Sequence, residues 1–227
     1  MSPGRESQDG ASDRRSAPPP FEGPWPAGED IVAVGGTLAP ALVLDAYRHG
    51  VFPFHDASQP VLWWCPDPRA ILPLDGLHVP RRLARRLRQA DHEIRVDTVF
   101  ERVMRACDER RPDGSWIHEG MVEAYTELHR RGHAHCLEVW QEGALVGGIY
   151  GVAVGGAFAA ESMFHRVRDM SKVALVHLVG RLLARGYGLL DVQFLTPHLQ
   201  RFGAIEIKRD EYLQRLRACR DAPVVFS

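Results

Sequence analysis

The stretch from Ala134 to Leu195 limits the fold more than any other part of the chain. Ala134 to Trp140, Ala144 to Val154 and Gly156 to Met163 are strand-length runs separated only by the turn pairs Glu142-Gly143 and Gly155-Gly156, a spacing that predicts an antiparallel meander. From about Ser171 the period changes, and Leu175, Val176, Val179, Leu182 and Leu183 fall on one helical stripe that Gly186 ends. A further strand, Gly188 to Leu195, follows at once. Strand, crossover helix and strand normally close into a right-handed parallel unit, so the third meander strand and the last strand are expected as neighbours or near neighbours in one mixed sheet.

Glu161, Asp191 and Gln193 stand out as polar residues in the last two of these strands. Asp191 and Gln193 stand two residues apart, and the period-two pleat aims both side chains to one face. An unpaired buried polar group costs roughly 2–7 kcal/mol. The two are therefore either a satisfied structural pair or part of a site that faces a substrate. Glu161 is a lone carboxylate in the third meander strand, and the crossover brings it close to Asp191. An ion pair with an arginine is its alternative reading.

Upstream, Phe100, Val103, Met104 and Cys107, then Met121, Tyr125 and Leu128, mark two amphipathic helices joined around Gly114. Residues 1–29 are rich in Ser, Pro, Gly and charge and read as a disordered tail. Residues 30–75 read as a small N-terminal lobe, with a helix from Pro40 that Gly50 stops and then a rigid run of aromatics and prolines. Residues 76–227 form the main domain. Its order of helix, helix, three-strand meander, helix, strand, short helix and strand is that of the acetyltransferase superfold, so the expected class is α+β, a small lobe plus a GNAT-like domain with a mixed central sheet. An acetyl-CoA enzyme of that class needs a Gly-rich loop to hold pyrophosphate at the start of the crossover helix. Here that position reads Arg166-Val167-Arg168-Asp169-Met170-Ser171, without glycine and with a carboxylate that repels phosphate. Neither CoA nor any other cofactor is expected.

A formal net charge of -1 over 227 residues leaves any nucleic-acid contact to a local patch. One candidate is the helix that places Arg81, Arg82, Arg85 and Arg86 on one face and Leu83 with Leu87 on the other; it is either a solvated face or a phosphate-binding one. The four cysteines form no CxxC pair, and His133-x-His135 lacks a third ligand at recognisable spacing, so no metal site is expected. No apolar run reaches about 18 residues and the first residues lack the apolar core of a signal peptide, which points to the cytoplasm and away from membranes.

Eight motifs in unbroken order carry a resemblance over about residues 30–216. They are Ala33-Val34-Gly35-Gly36-Thr37-Leu38, Trp63-Trp64-Cys65-Pro66-Asp67-Pro68-Arg69-Ala70, Gly114-Ser115-Trp116-Ile117, Gly132-His133-Ala134-His135, Val146-Gly147-Gly148-Ile149-Tyr150-Gly151-Val152, Glu161-Ser162-Met163-Phe164, Ser171-Lys172-Val173-Ala174-Leu175 and Asp191-x-Gln193. Together they resemble the leucyl/phenylalanyl-tRNA–protein transferase family. The resemblance implies an enzyme that moves Leu or Phe, with Met as a third donor, from aminoacyl-tRNA to the α-amino group of proteins beginning with Arg or Lys, marking them for N-end rule degradation. It implies that Asp191 and Gln193 are the catalytic pair and that Glu161 is an acid lining the same site. It further implies that Trp116, Tyr125 and Phe54 are aromatics near the substrate, that Phe158, Met163 and Leu175 line the amino-acid pocket, and that the arginine helix contacts tRNA phosphates. Phe54 stands where the family usually has Trp, and Ile149 where it usually has Met.

Overall fold

The computed structural model describes residues 21–89, 91–109 and 116–227. The three runs of the meander are β6 (Ala134–Gln141), β7 (Ala144–Val154) and β8 (Ala157–His165), each antiparallel to the next. The crossover helix α5 (Met170–Arg185) ends on Gly186 at φ +81°, a left-handed position that glycine takes without steric cost. It returns the chain to β9 (Leu189–Gln193), which pairs parallel with β8 as the period change implied. Gly147 is needed where α5 closes on the sheet, since a Cβ there would lie 2.6 Å from Cβ of Met170.

Three short strands complete a seven-stranded mixed sheet. β5 (Glu93–Val96) pairs with β6 at one edge; at the other, β4 (Arg69–Ile71) lies between β9 and β10 (Ile205–Ile207), giving the order β10-β4-β9-β8-β7-β6-β5. β4 comes from the stretch assigned above to the N-terminal lobe, yet it belongs to the large sheet. The lobe has its own antiparallel sheet of β1 (Ile31–Val34), β2 (Phe52–Pro53) and β3 (Leu62–Trp64), in the order β1-β3-β2. Helix α1 (Pro40–Arg48) begins on the proline noted above.

Apolar side chains cover both faces of the large sheet. Leu175, Leu178 and Leu182 of α5, with Leu83 of α2 (Arg81–Leu87), bury one face. Helices α1, α3 (Phe100–Ala106), α4 (Glu119–Arg130) and α7 (Arg209–Cys219) bury the other through residues such as Tyr47, Val103, Tyr125 and Leu213. A short helix α6 (Pro197–Gln200) follows β9. Residues 1–20 of the expected tail lie outside the described residues. Between Phe21 and Glu29 most residues are exposed, with two points of attachment. Phe21 is buried with its ring 4.9 Å from that of Trp63, and Arg209 donates to the carbonyls of Pro26 and Glu29. Among the described residues no helix is long and apolar enough to cross a membrane.

Candidate active site

β8 and β9 pair only through Ala157↔Leu189, Phe158↔Leu190 and Ala159↔Asp191, and then the two parallel strands part. Both break regular geometry at that point. On β8, Ser162 faces Tyr150 and Ala160 faces Gly151, which leaves Glu161 as the extra residue of a β-bulge. On β9, Gln193 has φ +56°, and the Phe194 N–H donates across it to the Val192 carbonyl at 2.7 Å, closing a tight three-residue turn. A cavity of about 370 Å³ fills the gap, and Glu161 and Gln193 both line it.

Asp191 is held from the other side. Arg69 of β4 meets it side-on, Nε to Oδ1 at 2.8 Å and Nη2 to Oδ2 at 2.6 Å, and both side chains are buried. Tyr212 donates its hydroxyl to Oδ2 at 3.0 Å, and the Gln193 backbone N–H donates to Oδ1 at 3.0 Å. The third arm of the guanidinium donates to the Gly50 carbonyl at 3.1 Å, while its plane lies over the Phe52 and Tyr212 rings. The arginine partner weighed for Glu161 therefore belongs to Asp191. The Asp191 carboxylate, 2% exposed, has its acceptor sites filled and does not line the cavity.

Glu161 is only half-buried, because the bulge turns it toward the opening. Gln193 donates through Nε2 to its Oε1 at 3.1 Å. Removal from water pushes the Glu161 carboxyl up to about 8; the Tyr47 hydroxyl pulls it down, the Asp191 charge raises it and Arg69 lowers it. Tyr47 itself shares a 2.6 Å hydrogen bond with the Tyr125 hydroxyl. Burial raises both phenols well above their ordinary range.

Of the residues singled out by sequence, Glu161, Gln193, Trp116, Phe54, Met163 and Leu175 meet around this cavity. Phe54 is 37% exposed and lies 5.3 Å, ring to ring, from Trp116 and 6.1 Å from Trp64. Besides Asp191, two residues lie off the cavity wall. Tyr125 is fully buried between Tyr47 and Tyr150, so it presents no ring face to a substrate. Phe158 precedes the point where the strands part and is closed off on the far side, 5.2 Å from the Phe226 ring and 6.4 Å from that of Tyr187. In the arginine helix, Arg81, Arg82 and Arg85 are exposed and make no ion pair among the described residues, whereas Arg86 is tied to Asp91 at 2.5 Å and to Gln89. His135 binds the Asp97 carboxylate at 2.7 Å. Sequence reasoning missed Arg69, Tyr212, Phe52 and Phe194. The signal for Arg69 was a cation among apolar and proline residues, with Asp67 the one other charge between Val61 and Leu74.

A mixed sheet whose parallel pair opens onto an apolar cavity, with a carboxyl and an amide at the fork, is the kind of α+β site that can hold an apolar group beside a polar reacting centre. Residues 71–217 match the family model described as leucyl/phenylalanyl-tRNA protein transferase, and residues 36–67 match that of its N-terminal domain. The chain is 50% identical over 191 residues to the leucyl/phenylalanyl-tRNA–protein transferase of Nitratidesulfovibrio vulgaris strain DP4, covering 82% of each protein. It is 46% identical over 207 residues to that of Nitrosomonas europaea, covering 90% of this chain and 88% of the relative. With that of Anaeromyxobacter dehalogenans strain 2CP-C the identity is 49% over 211 residues and 91% of each. The chain belongs to the leucyl/phenylalanyl-tRNA protein transferase family.

Proposed function

We infer that this chain moves leucine or phenylalanine, with methionine as a further donor, from aminoacyl-tRNA to the α-amino group of proteins beginning with Arg or Lys, the step that marks them for N-end rule degradation. The observation that carries the reading is the two-sided cavity at the fork of β8 and β9. Ile149, Met163, Leu175 and Leu199 supply an apolar wall sized for a side chain, and Glu161 with Gln193 supplies a polar corner for the reacting ester and amine. Phe54 and Trp116 at the lip suit stacking of the terminal adenine, worth about 1–3 kcal/mol per base.

Roles divide by what each group can reach. The Gln193 side-chain oxygen accepts no hydrogen bond among the described residues and orients the attacking amine. Asp191 acts through Gln193, holding its backbone N–H. The ester is already activated, so positioning, worth up to roughly 7–11 kcal/mol, supplies much of the rate. The start of α5 argues against CoA. Asp169 stands at its N-cap position at φ +69°, its carboxylate tied to Lys172 at 2.5 Å, and no glycine between Arg166 and Ser171 opens the backbone to hold a pyrophosphate. A donor made in the cytoplasm places the enzyme there.

The path for tRNA runs from the free arginines of α2 toward the fork. Beside the fork a second cavity, lined by His165, Arg168, Asp169, Ser171, Lys172 and His198, shares Met163 with the first; its Asp169 carboxylate is paired with Lys172, which leaves Arg168 to meet a phosphate. Substituting Arg82 and Arg85 by Ala is expected to flatten the log-log salt dependence of tRNA binding by about one unit per lost phosphate contact. Arg86→Ala, whose charge is already spent on Asp91, is expected to leave the slope unchanged; equal slopes in all variants would return α2 to the role of a solvated face. The transfer itself is tested with radiolabelled Leu-tRNA and peptides that begin with Arg, Lys, Asp or Glu. Label is expected on the Arg and Lys peptides only, and label that stays on tRNA with all four would refute the reading.

A further inference from the structure

Peptide transfer from an ester needs one proton to move: an N–H bond of the amine breaks and an O–H bond forms on the leaving ribose. We propose that Glu161 is the catalytic residue that carries this proton, giving one to the ribose oxygen as the C–O bond breaks and taking one back from the nitrogen. This rests on the transfer reading above. Glu161 ends as it began, so no other acid, base or oxidant is consumed.

Three observations lead to this assignment. Among the described residues that line the cavity, Glu161 is the one with an ionisable side chain; the rest of the lining is apolar, aromatic, hydroxyl or amide. Asp191, the other carboxylate nearby, is closed to the cavity by Arg69, Tyr212 and the Gln193 N–H. Gln193, for its part, is an amide and too weak a base to keep a proton. Its Nε2–H, 3.1 Å from Oε1, holds the Glu161 carboxyl at the edge of the cavity beside the amide.

The charged and titratable groups around Glu161 keep it an acid at neutral pH. Burial on β8 pushes its carboxyl up to about 8, Tyr47 of α1 pulls it down, Asp191 of β9 raises it and Arg69 of β4 lowers it; Tyr125 of α4 lies behind Tyr47. A substrate that expels water from the cavity strengthens the burial effect. The acid form is therefore present at pH 7 and is lost as pH rises through about 8. The acceptor amine, with an ordinary pKa of about 7.7–8.0, must lose its own proton to attack, so the wild-type rate first rises with pH and then falls.

The test is single-turnover transfer from Leu-tRNA to an Arg-initiated peptide by the full chain across pH 6 to about 10, corrected for uncatalysed ester hydrolysis. Wild type is expected to give a bell-shaped profile. Glu161→Gln, which keeps the shape and the contact with Gln193, is expected to lose about 10²-fold and to turn the bell into a rise and plateau. Glu161→Asp is expected to be slow but to retain the alkaline fall, which a merely structural carboxyl would not produce. An alkaline fall that persists in Glu161→Gln, or a Glu161→Gln rate within about twofold of wild type, would overturn the assignment. Wild type that transfers nothing at any pH would instead sink the transfer reading on which it rests.

Discussion

Arg69→Met is expected to destabilise the protein by about 3–5 kcal/mol, because it leaves the Asp191 carboxylate buried without its cation. The pair is fully enclosed, with two charge-assisted bonds at 2.6 and 2.8 Å, so no solvent screens the loss. For a chain of this size that is a fall of about 10 °C in melting temperature. Arg69→Lys is expected to fall between, since a point charge cannot serve Asp191 side-on and Gly50 together. The double change Arg69→Met with Asp191→Leu removes both charges, and most of the stability is expected to return. Transfer is not. Without the Asp191 carboxylate nothing holds the Gln193 N–H, and the amide that aims the amine is free to turn. Urea unfolding of the three variants beside transfer assays separates the effects. A cost below about 1 kcal/mol for Arg69→Met would mean that Asp191 does not depend on this arginine.

How much of this was legible in the sequence depends on whether a feature is written locally. The meander, the crossover and the return strand are, because turn glycines and a change of hydrophobic period lie within 62 consecutive residues, 134–195. From them followed the closeness of Glu161 to Asp191, and the packing places both at one fork, with Gln193 between the Asp191 backbone anchor and the Glu161 carboxyl. The β-bulge at Glu161 is not legible, since a bulge exists only by comparison with the facing strand. Nor is β4. Three residues beginning with a charge and following Pro66 and Pro68 carry no strand pattern, and their pairing with β9 joins segments about 120 residues apart.

Two aromatics that the family likeness brings near the site have their rings packed in the core. Tyr125 belongs to the stripe Met121, Tyr125 and Leu128, and that period places it in the core, where its hydroxyl meets Tyr47. Phe158 faces Leu190 in register, one step before the strands separate. Its neighbour two places on, Ala160, does reach the cavity. The tail shows the converse. Composition argued for disorder through residue 29; within that stretch a single aromatic, Phe21, is buried against Trp63, a contact that composition does not reveal.

Gln193 carries the second large effect. Gln193→Ala is expected to lower single-turnover transfer by about 10²–10³-fold, the range typical of removing one preorganised polar group from a reacting centre. Its effect on stability is expected to be small, because the side chain makes one hydrogen bond, to a half-buried carboxyl. Gln193→Gly separates stability from activity more sharply. A non-glycine residue at φ +56° is strained, and a position of this kind costs of order 1–3 kcal/mol. Glycine relieves that strain, so Gln193→Gly is expected to be as inactive as Gln193→Ala yet more stable than it by about 1 kcal/mol. Transfer rates and denaturant midpoints of the two variants decide the matter. A glycine variant less stable than the alanine one would mean that the turn is not strained, and one that still transfers at the wild-type rate would remove Gln193 from the site. The strain is held in place by the fork itself. The Asp191 carboxylate, fixed by Arg69 and Tyr212, keeps the Gln193 N–H turned inward, and the three-residue turn then delivers the amide to the edge of the cavity. A regular strand would carry β9 past the gap, so the same local distortion that costs stability is what sets the Gln193 side chain on the cavity wall.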